Sequence, residues 1–336
     1  MSNPAIPVDA AGRVAPDVPA RVFITGANGF IARALGERLR ELGATVTGVD
    51  LQADPKRGVV EGSTIEPQEW AEALAGVDAV IHTAAIVSNA ASLDDAWTVN
   101  VLGTRRTLAA AADAGVGRFL HLSSIMAFGF DYPDGVDETY PVRVCGHSYP
   151  DTRVNSEAVV LAAHAAGEID CTIVRPGDVI GPGSVWVRES IRLAKAHQMV
   201  LPAGGNGVFT PTFIDNLVDG ILLALTAEVA IGQIYTITDG LDLPAHEYFG
   251  RLTTLAGSRM TTLPTAVAVP LTSTLGAIVR RLGGRSELTA ATMLMLSRRG
   301  GYSIQKAKDQ LGFEPRVGFE DAMTACETWA RAEGLV

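Results

Sequence analysis

The chain has 336 residues, 47% hydrophobic and 19% charged, with 27 Lys plus Arg against 37 Asp plus Glu and a net charge of −10. That length and composition support a substantial buried core in one large domain or two smaller ones and exclude a disordered chain. The negative field makes nucleic acid and anionic membrane poor partners, and the three scattered cysteines, Cys145, Cys171 and Cys326, show neither a disulfide framework nor metal-ligand spacing.

Residues 1–20 are rich in Pro and Ala but lack a basic start and an apolar run, so they are expected to form a loosely ordered tail rather than a signal peptide. From Arg21 the pattern changes. "RVFITG" predicts a buried strand, "ARALGERLRELG" an amphipathic helix and "ATVTGVD" a second strand. "DAVIHTAA", "RFLHLSS" and "CTIVRP" are further short β-rich runs separated by helix-like segments. Buried strands alternating with helices predict right-handed crossovers and a parallel, doubly wound α/β sheet covered on both faces. After "RPGDVIGPGS" Pro and Gly become frequent, and "GQIYTITDG" is expected to rejoin the sheet. The expected organisation is a Rossmann-type NAD-binding domain over 21–182 plus 212–239. A smaller substrate-binding domain over 183–211 plus 240–336 is expected above the strands' carboxyl ends, where open α/β sheets bind ligands. No stretch reaches the about 18 uninterrupted apolar residues of a membrane span. The nearest, "LPTAVAVPLTSTLGAIV" from Leu263, is broken by Pro270 and is expected to form a substrate lid or core, with contact to a membrane surface as the less favoured alternative.

"ITGANGFIA" follows the first strand and opens the first helix, supplying Gly26-x-x-Gly29-x-x-Ala32. Gly26 permits the tight turn, Gly29 lets backbone approach a pyrophosphate, and small Ala32 lets helix and strand pack closely. Asn28, Phe30 and Ile31 of the same loop join the candidate cofactor contacts. The second strand ends in Asp50, 21 residues after Gly29. A carboxylate there accepts hydrogen bonds from ribose hydroxyls and repels a 2′-phosphate, and "DLQAD" brings no arginine, so NAD is expected over NADP. Tyr149 and Arg153 in "HSYPDTRVNSE" stand four residues apart on one helix face. By itself such a pair does not distinguish a catalytic helix from an ordinary one.

Taken in order, "TGANGFIA", "DAVIHTAA", "VNVLGT", "FLHLSSIMAFG", "SYPDTR", "IVRPGDVIGPG" and "KAKDQLGFEPR" resemble the extended short-chain dehydrogenase/reductases. These are the nucleotide-sugar epimerases and dehydratases and the 3β-hydroxysteroid dehydrogenases, and the resemblance runs from Arg21 to about Trp329. It implies that Ala84 and Ala85 line the cofactor and that Asn100 lies behind the active site. It also implies that Pro176 and Gly177 approach the nicotinamide, with Leu122 and Val179 nearby. Ser63 and Thr64 replace the family's usual adenine-side aspartate. The same resemblance makes Ser124 the catalytic hydroxyl and Tyr149 the acid/base, and puts Arg153 where the family almost always has lysine. A free tyrosine has a pKa near about 10 and needs a neighbouring cation to act as a base at neutral pH. Arginine keeps the charge but relays protons poorly, its pKa being above about 12.

Nucleotide-sugar enzymes commonly place an arginine for the diphosphate in the segment corresponding to "GNGVFTPTFIDNLVDG", which here has no basic residue and offers Phe209 and Phe213. That favours the 3β-hydroxysteroid dehydrogenase branch and an apolar secondary alcohol or ketone, with Trp186, Met199 and the 263–279 run as pocket candidates or core. Two other readings stay open: a sugar epimerase or dehydratase using Arg188 or Arg192 for the diphosphate, and an NAD-binding sensor or scaffold without turnover. A cytoplasmic homodimer without metal is the expected assembly.

Overall fold

A computed structural model describes residues 7–9, 12–284 and 286–336. The sheet begins with β1 (Arg21–Thr25), followed by α1 (Phe30–Glu41), β2 (Thr45–Asp50), β3 (Val59–Glu61) and β4 (Ala79–His82). Next come α2 (Leu93–Trp97), a π-helical turn (Thr98–Gly103), α3 (Thr104–Asp113), β5 (Arg118–Leu122), α4 (Ser148–Ala165) and β6 (Asp170–Pro176). The second half runs β7 (Asp178–Ile180), α5 (Val185–Lys195), β8 (Val200–Leu201), β9 (Val208–Phe209), β10 (Pro211–Phe213), α6 (Ile214–Thr226) and β11 (Ile234–Ile237). It closes with β12 (Leu243–Pro244), α7 (Ala245–Leu255), β13 (Thr261–Thr262), α8 (Thr265–Arg281), α9 (Ala290–Met295), α10 (Gln305–Leu311) and α11 (Phe319–Ala332).

Seven strands form one parallel sheet in the order β11-β6-β5-β4-β1-β2-β3. Its inner strands are short apolar runs buried on both faces, as a sheet covered by crossover helices requires, while the edge strand β3 is partly exposed. In β1, Val22 and Ile24 join one apolar cluster while Phe23 joins the other, the period-two alternation of a strand between two layers. The chain walks outward from β1 to β3 and then crosses back to β4 on β1's other side. The crevice opens at that switch point. "GQIYTITDG" rejoins the sheet as β11, beside β6.

Of the expected tail, residues 1–6, 10 and 11 lie outside the described residues. The remainder is tied to α1: the buried Arg38 guanidinium donates to the Val14 carbonyl at 2.7 Å and pairs with Asp9 at 3.1 Å. Arg13 reaches Glu41 at 2.9 Å.

The Leu263 segment departs from expectation. It forms α8, whose buried positions are the small Ala268, Thr272 and Gly276, while all its large aliphatic side chains except the half-buried Val269 face outward. Gly276 explains the inversion, because a Cβ there would lie 2.0 Å from the Leu288 carbonyl oxygen. No described helix is long and apolar enough to cross a membrane.

Candidate active site

The glycine loop closes the crevice between β1 and β4. Gly26 has φ +67, and a Cβ on it would sit 2.8 Å from Ala84 Cα, so only glycine allows the two strand ends to meet. Gly29 N–H donates to the Gly26 carbonyl at 2.8 Å, and α1 begins at Phe30 and Ile31. The Asp50 carboxylate accepts from Asn28 N–H at 2.8 Å and from Leu51 N–H at 2.7 Å, which fixes it at the loop. Each carboxylate oxygen keeps a further lone pair for a hydroxyl donor.

One residue beside this loop escapes sequence reasoning. Arg57, seven positions beyond Asp50, folds back through a 3-10 turn. It donates to the Ala27 carbonyl at 3.0 Å and to the Asn28 side chain, and pairs with Asp54 at 2.8 Å. "DLQADPKR" shows the arginine, but the turn that returns it is a tertiary outcome.

On the other side of the crevice Asn100 is buried in the π-helical turn, a form of irregularity frequent at functional sites. Its Oδ1 accepts from Ile86 N–H at 2.8 Å, and its Nδ2 donates to the Ile86 carbonyl at 3.0 Å and to Thr152 Oγ1 at 3.1 Å. The loop that carries Ala84 and Ala85 is thereby latched to α4. Ser63 Oγ accepts from Ile65 N–H at 3.2 Å, and Thr64 is buried against Gly103. Gly177 follows Pro176 at the end of β6, with Val179 beyond it in β7. A Cβ on Gly177 would meet Thr212 Oγ1 at 2.5 Å, so protein packing alone demands glycine there.

Tyr149, Arg153 and Glu157 are all buried on one face of α4, at the i, i+4, i+8 spacing of a helix stripe. Ser124 caps the turn Ile125–Phe128, its Oγ accepting from Met126 N–H at 3.1 Å, and α4 packs on that turn. Neither the Ser124 hydroxyl proton nor the Tyr149 hydroxyl has a protein hydrogen-bond partner among the described residues. The Arg153 guanidinium carbon lies 4.9 Å from the Tyr149 ring centroid, and one nitrogen donates to the Leu122 carbonyl at 3.2 Å. Arg153 is 3% exposed, has no carboxylate partner among the described residues, and leaves its Nε buried without an acceptor. A buried, uncompensated cation is costly unless a ligand supplies acceptors. Ribose hydroxyls of a nicotinamide dinucleotide have that chemistry, so the residues present fit such a group.

His82 and His121 stack at 5.5 Å behind this cation. Burial first, and then the Arg153 charge, pushes the His82 imidazole down to about 3. Burial, His82 and Arg153 likewise hold His121 well below the ordinary histidine range. Both rings are neutral, with hydroxyl partners: His82 contacts Thr25 Oγ1 at 2.8 Å and Thr104 Oγ1 at 3.0 Å, and His121 contacts Ser156 Oγ at 3.0 Å. They are core residues, as their strand positions imply.

A second network that was not anticipated lies beneath the stripe. Glu157 accepts from Ser123 Oγ at 2.6 Å and takes a two-nitrogen clamp from Arg175 at 2.8 and 2.6 Å. The clamp joins the neighbours of Ser124 and Pro176 to the helix of Tyr149. The eight-residue interval from Tyr149 to Glu157 was its only sequence signal.

On the expected substrate side, Phe209 and Phe213 are core rather than pocket wall: Phe209 is fully buried and stacks on Tyr248 at 4.4 Å. Met199 is buried too, and Trp186 packs edge-on against Phe209. A cation does approach this segment, but it comes from the C-terminal region. Arg298 is fully buried and pairs with Asp178 at 2.6 Å.

A Gly-rich strand-to-helix turn at the switch point of a parallel sheet, with a carboxylate at the end of β2, is the arrangement of an NAD-dependent enzyme of the extended short-chain dehydrogenase/reductase class. The profile of the NAD dependent epimerase/dehydratase family matches residues 22–238, and the chain belongs to that family. It is 30% identical to a 3-beta-hydroxysteroid dehydrogenase of Mycolicibacterium neoaurum, over 91% of this chain and 90% of that one. It is 28% identical to a 2-alkyl-3-oxoalkanoate reductase of Stenotrophomonas maltophilia, over 90% and 97%. The fold is that of the dTDP-glucose 4,6-dehydratase of Streptomyces venezuelae, solved with NAD bound, at TM-score 0.75, 23% identity and 94% and 100% coverage.

Proposed function

We propose that the protein interconverts an apolar secondary alcohol and the corresponding ketone, with NAD preferred over NADP. The observation that carries this reading is the buried Ser124, Tyr149 and Arg153 group: among the described residues the Ser124 hydroxyl proton, the Tyr149 hydroxyl and the Arg153 Nε have no protein partner, while Ser124 Oγ accepts only from Met126 N–H. Bound NAD would accept or donate the hydride. Ser124 would donate a hydrogen bond to the substrate oxygen and orient it, while Tyr149 would take or give the proton on that oxygen. Arg153 would hold positive charge beside the tyrosine and offer donors to the nicotinamide ribose. Gly26, Asn28, Gly29, Phe30 and Ile31 would carry the pyrophosphate loop, and Asp50 the adenosine ribose. The remaining wall would come from Ser63, Thr64, Ala84, Ala85, Asn100, Leu122, Pro176, Gly177 and Val179. Arg57 is engaged by Asp54 and the loop, which supports the preference for an unphosphorylated ribose.

The charge pattern supports an apolar substrate over a sugar nucleotide. Arg298, the cation beside this segment, is neutralised by Asp178; Arg192 pairs with Glu189 at 2.8 Å on the surface, and Arg188 keeps its charge but stacks on Trp329 at 4.6 Å. A diphosphate buried against the 204–220 segment, which has no Lys or Arg of its own, would lack a free cation there and is strongly disfavoured. Two relatives named for ketone and hydroxysteroid chemistry point the same way. We place the substrate domain over 183–211 plus 240–336, and three cysteines without a disulfide support a reducing, cytoplasmic setting; light scattering tests the expected homodimer. Steady-state assay of a ketone and alcohol panel with both cofactors, beside calorimetry with UDP-sugars, tests the function. Turnover of apolar ketones is expected, with sugar-nucleotide binding no tighter than about millimolar; micromolar UDP-sugar affinity refutes it.

A further inference from the structure

Helix α8 is built inside out. Its inward face is Ala268, Thr272 and Gly276, while Val267, Leu271, Leu275, Ile278, Val279 and Leu282 form an exposed stripe along the neighbouring flank. Leu282, just past the last turn, is 83% exposed. These six account for a third of the 18 large apolar side chains exposed among the described residues, five on one helix and the sixth at its C-terminal cap. Contiguous apolar surface of this kind marks an interaction site, whereas single exposed leucines do not.

Charge decides what covers the stripe. The whole chain carries −10, yet the 28 residues from Arg259 to Ser286 contain no Asp or Glu and four arginines, at 259, 280, 281 and 285. The overall charge argued against anionic surfaces, but this helix and its flanks are locally cationic. A second copy of the chain is a poor occupant. A two-fold contact sets the patch against itself, and the carboxylate nearest its arginines in sequence, Glu287, is already taken by Ser88 and Asn89. An anionic lipid layer supplies both an apolar interior and counter-charge. A helix with an apolar face and cationic flanks lies in the plane of such an interface without crossing it.

The position of the helix gives the contact a purpose. Six residues past α8, the segment that Arg280 holds through the Ser286 and Leu288 carbonyls carries Glu287, whose carboxylate accepts from Ser88 Oγ at 2.7 Å and from Asn89 N–H at 3.0 Å. Ser88 and Asn89 follow the Ala84–Ala85 wall of the crevice, and the neighbouring Val87 is exposed. The C-terminal end of the stripe therefore adjoins the mouth of the site. We propose that α8 docks the protein peripherally on an anionic bilayer surface, so that an apolar substrate enters from the lipid. The entry route rests on the substrate class proposed above; the docking itself does not.

Flotation of the full chain with NAD tests it, using phosphatidylcholine vesicles with and without about 30% phosphatidylglycerol. The protein should float with the anionic vesicles and largely detach at high salt. The triple variant Leu271→Ser/Leu275→Ser/Ile278→Ser should lower partitioning by about 10²-fold, since three large aliphatic side chains leave the lipid. Arg281→Glu should lower it by about tenfold on anionic vesicles alone. Unchanged circular dichroism and unchanged turnover of a water-soluble ketone would show that both variants fold. Wild-type protein that stays with the aqueous fraction overturns the proposal, as does either variant floating like the wild type. A wild-type dimer that the triple variant converts to monomer, without vesicle binding, assigns the stripe to a second copy and overturns it too. Failure of ketone turnover without loss of flotation would overturn the substrate reading alone.

Discussion

Glu157→Gln is the sharpest test of how the site is held. The substitution keeps the shape and an acceptor for Ser123, but removes the charge that neutralises Arg175. Both partners of that pair are 2% exposed, and Arg175 makes two hydrogen bonds of 2.8 and 2.6 Å to Glu157. Breaking a buried pair by removing one partner costs about 3–5 kcal/mol, because the other charge stays buried. At about 2.1 cal/mol/K per residue, a chain of 336 residues has an unfolding entropy of roughly 0.7 kcal/mol/K, so the melting temperature should fall by about 4–7 °C. Scanning calorimetry or circular dichroism reads this directly. The clamp positions Ser123 beside Ser124 and Arg175 beside Pro176, so kcat should fall while KM moves little. The double variant Glu157→Gln/Arg175→Met should recover at least about half of the lost stability, since no orphaned charge remains. A single-variant loss below about 1 kcal/mol, or a double variant as poor as the two single losses combined, would refute the reasoning.

The other expectations concern the cofactor, the proton and one buried carboxyl. Tyr149→Phe should reduce turnover by about 10²-fold or more while nucleotide fluorescence shows unchanged cofactor binding; unchanged turnover would remove Tyr149 from the chemistry. Asp50→Ala should shrink the preference for NADH in the same titration, and equal NADPH binding by the unmodified protein would contradict the role of Asp50. Arg153→Lys should preserve cofactor affinity and raise turnover, because lysine relays a proton that arginine holds. Lower turnover would mean that the pocket is shaped to the guanidinium and its bond to the Leu122 carbonyl. Burial pushes the Asp239 carboxyl up to about 6, despite the lowering hydrogen bonds from Asn216 and Phe213 N–H. The folded protein therefore holds this proton more tightly than the unfolded chain does. That stabilisation is complete below about pH 4 and lost as pH rises through about 6, at most about 3 kcal/mol. Denaturant titrations across that range should show a flatter profile for Asp239→Asn; parallel profiles would exclude the effect.

The nucleotide-binding half was legible because its signals are local. Buried strands of β-branched residues, a glycine turn between strand and helix, and Asp50 at a strand end all follow from short stretches of sequence. What stayed hidden depended on the fold's return paths. Arg57 reaches the glycine loop only because a 3-10 turn reverses the chain. Arg298 meets Asp178 across 120 positions. The apolar period of α8 announced an amphipathic helix but not which side packs inward. That was settled by Gly276 lying against the Leu288 carbonyl, and the large aliphatic residues were left outside. Phe209 and Phe213 were apolar enough for a pocket wall, yet both are buried, and Phe209 became core because Tyr248 of α7 stacks on it and Phe249 packs against its edge.

The partners of Arg38 bear on where the folding unit begins. The family match starts at residue 22, and a chain trimmed to that boundary would look complete in any alignment. It would also lack the Val14 carbonyl and the Asp9 carboxylate that receive a guanidinium buried against α1. The homologous block and the cooperative block thus have different first residues. Any shortened version of this protein, and any tag placed against its first strand, has to respect the second boundary.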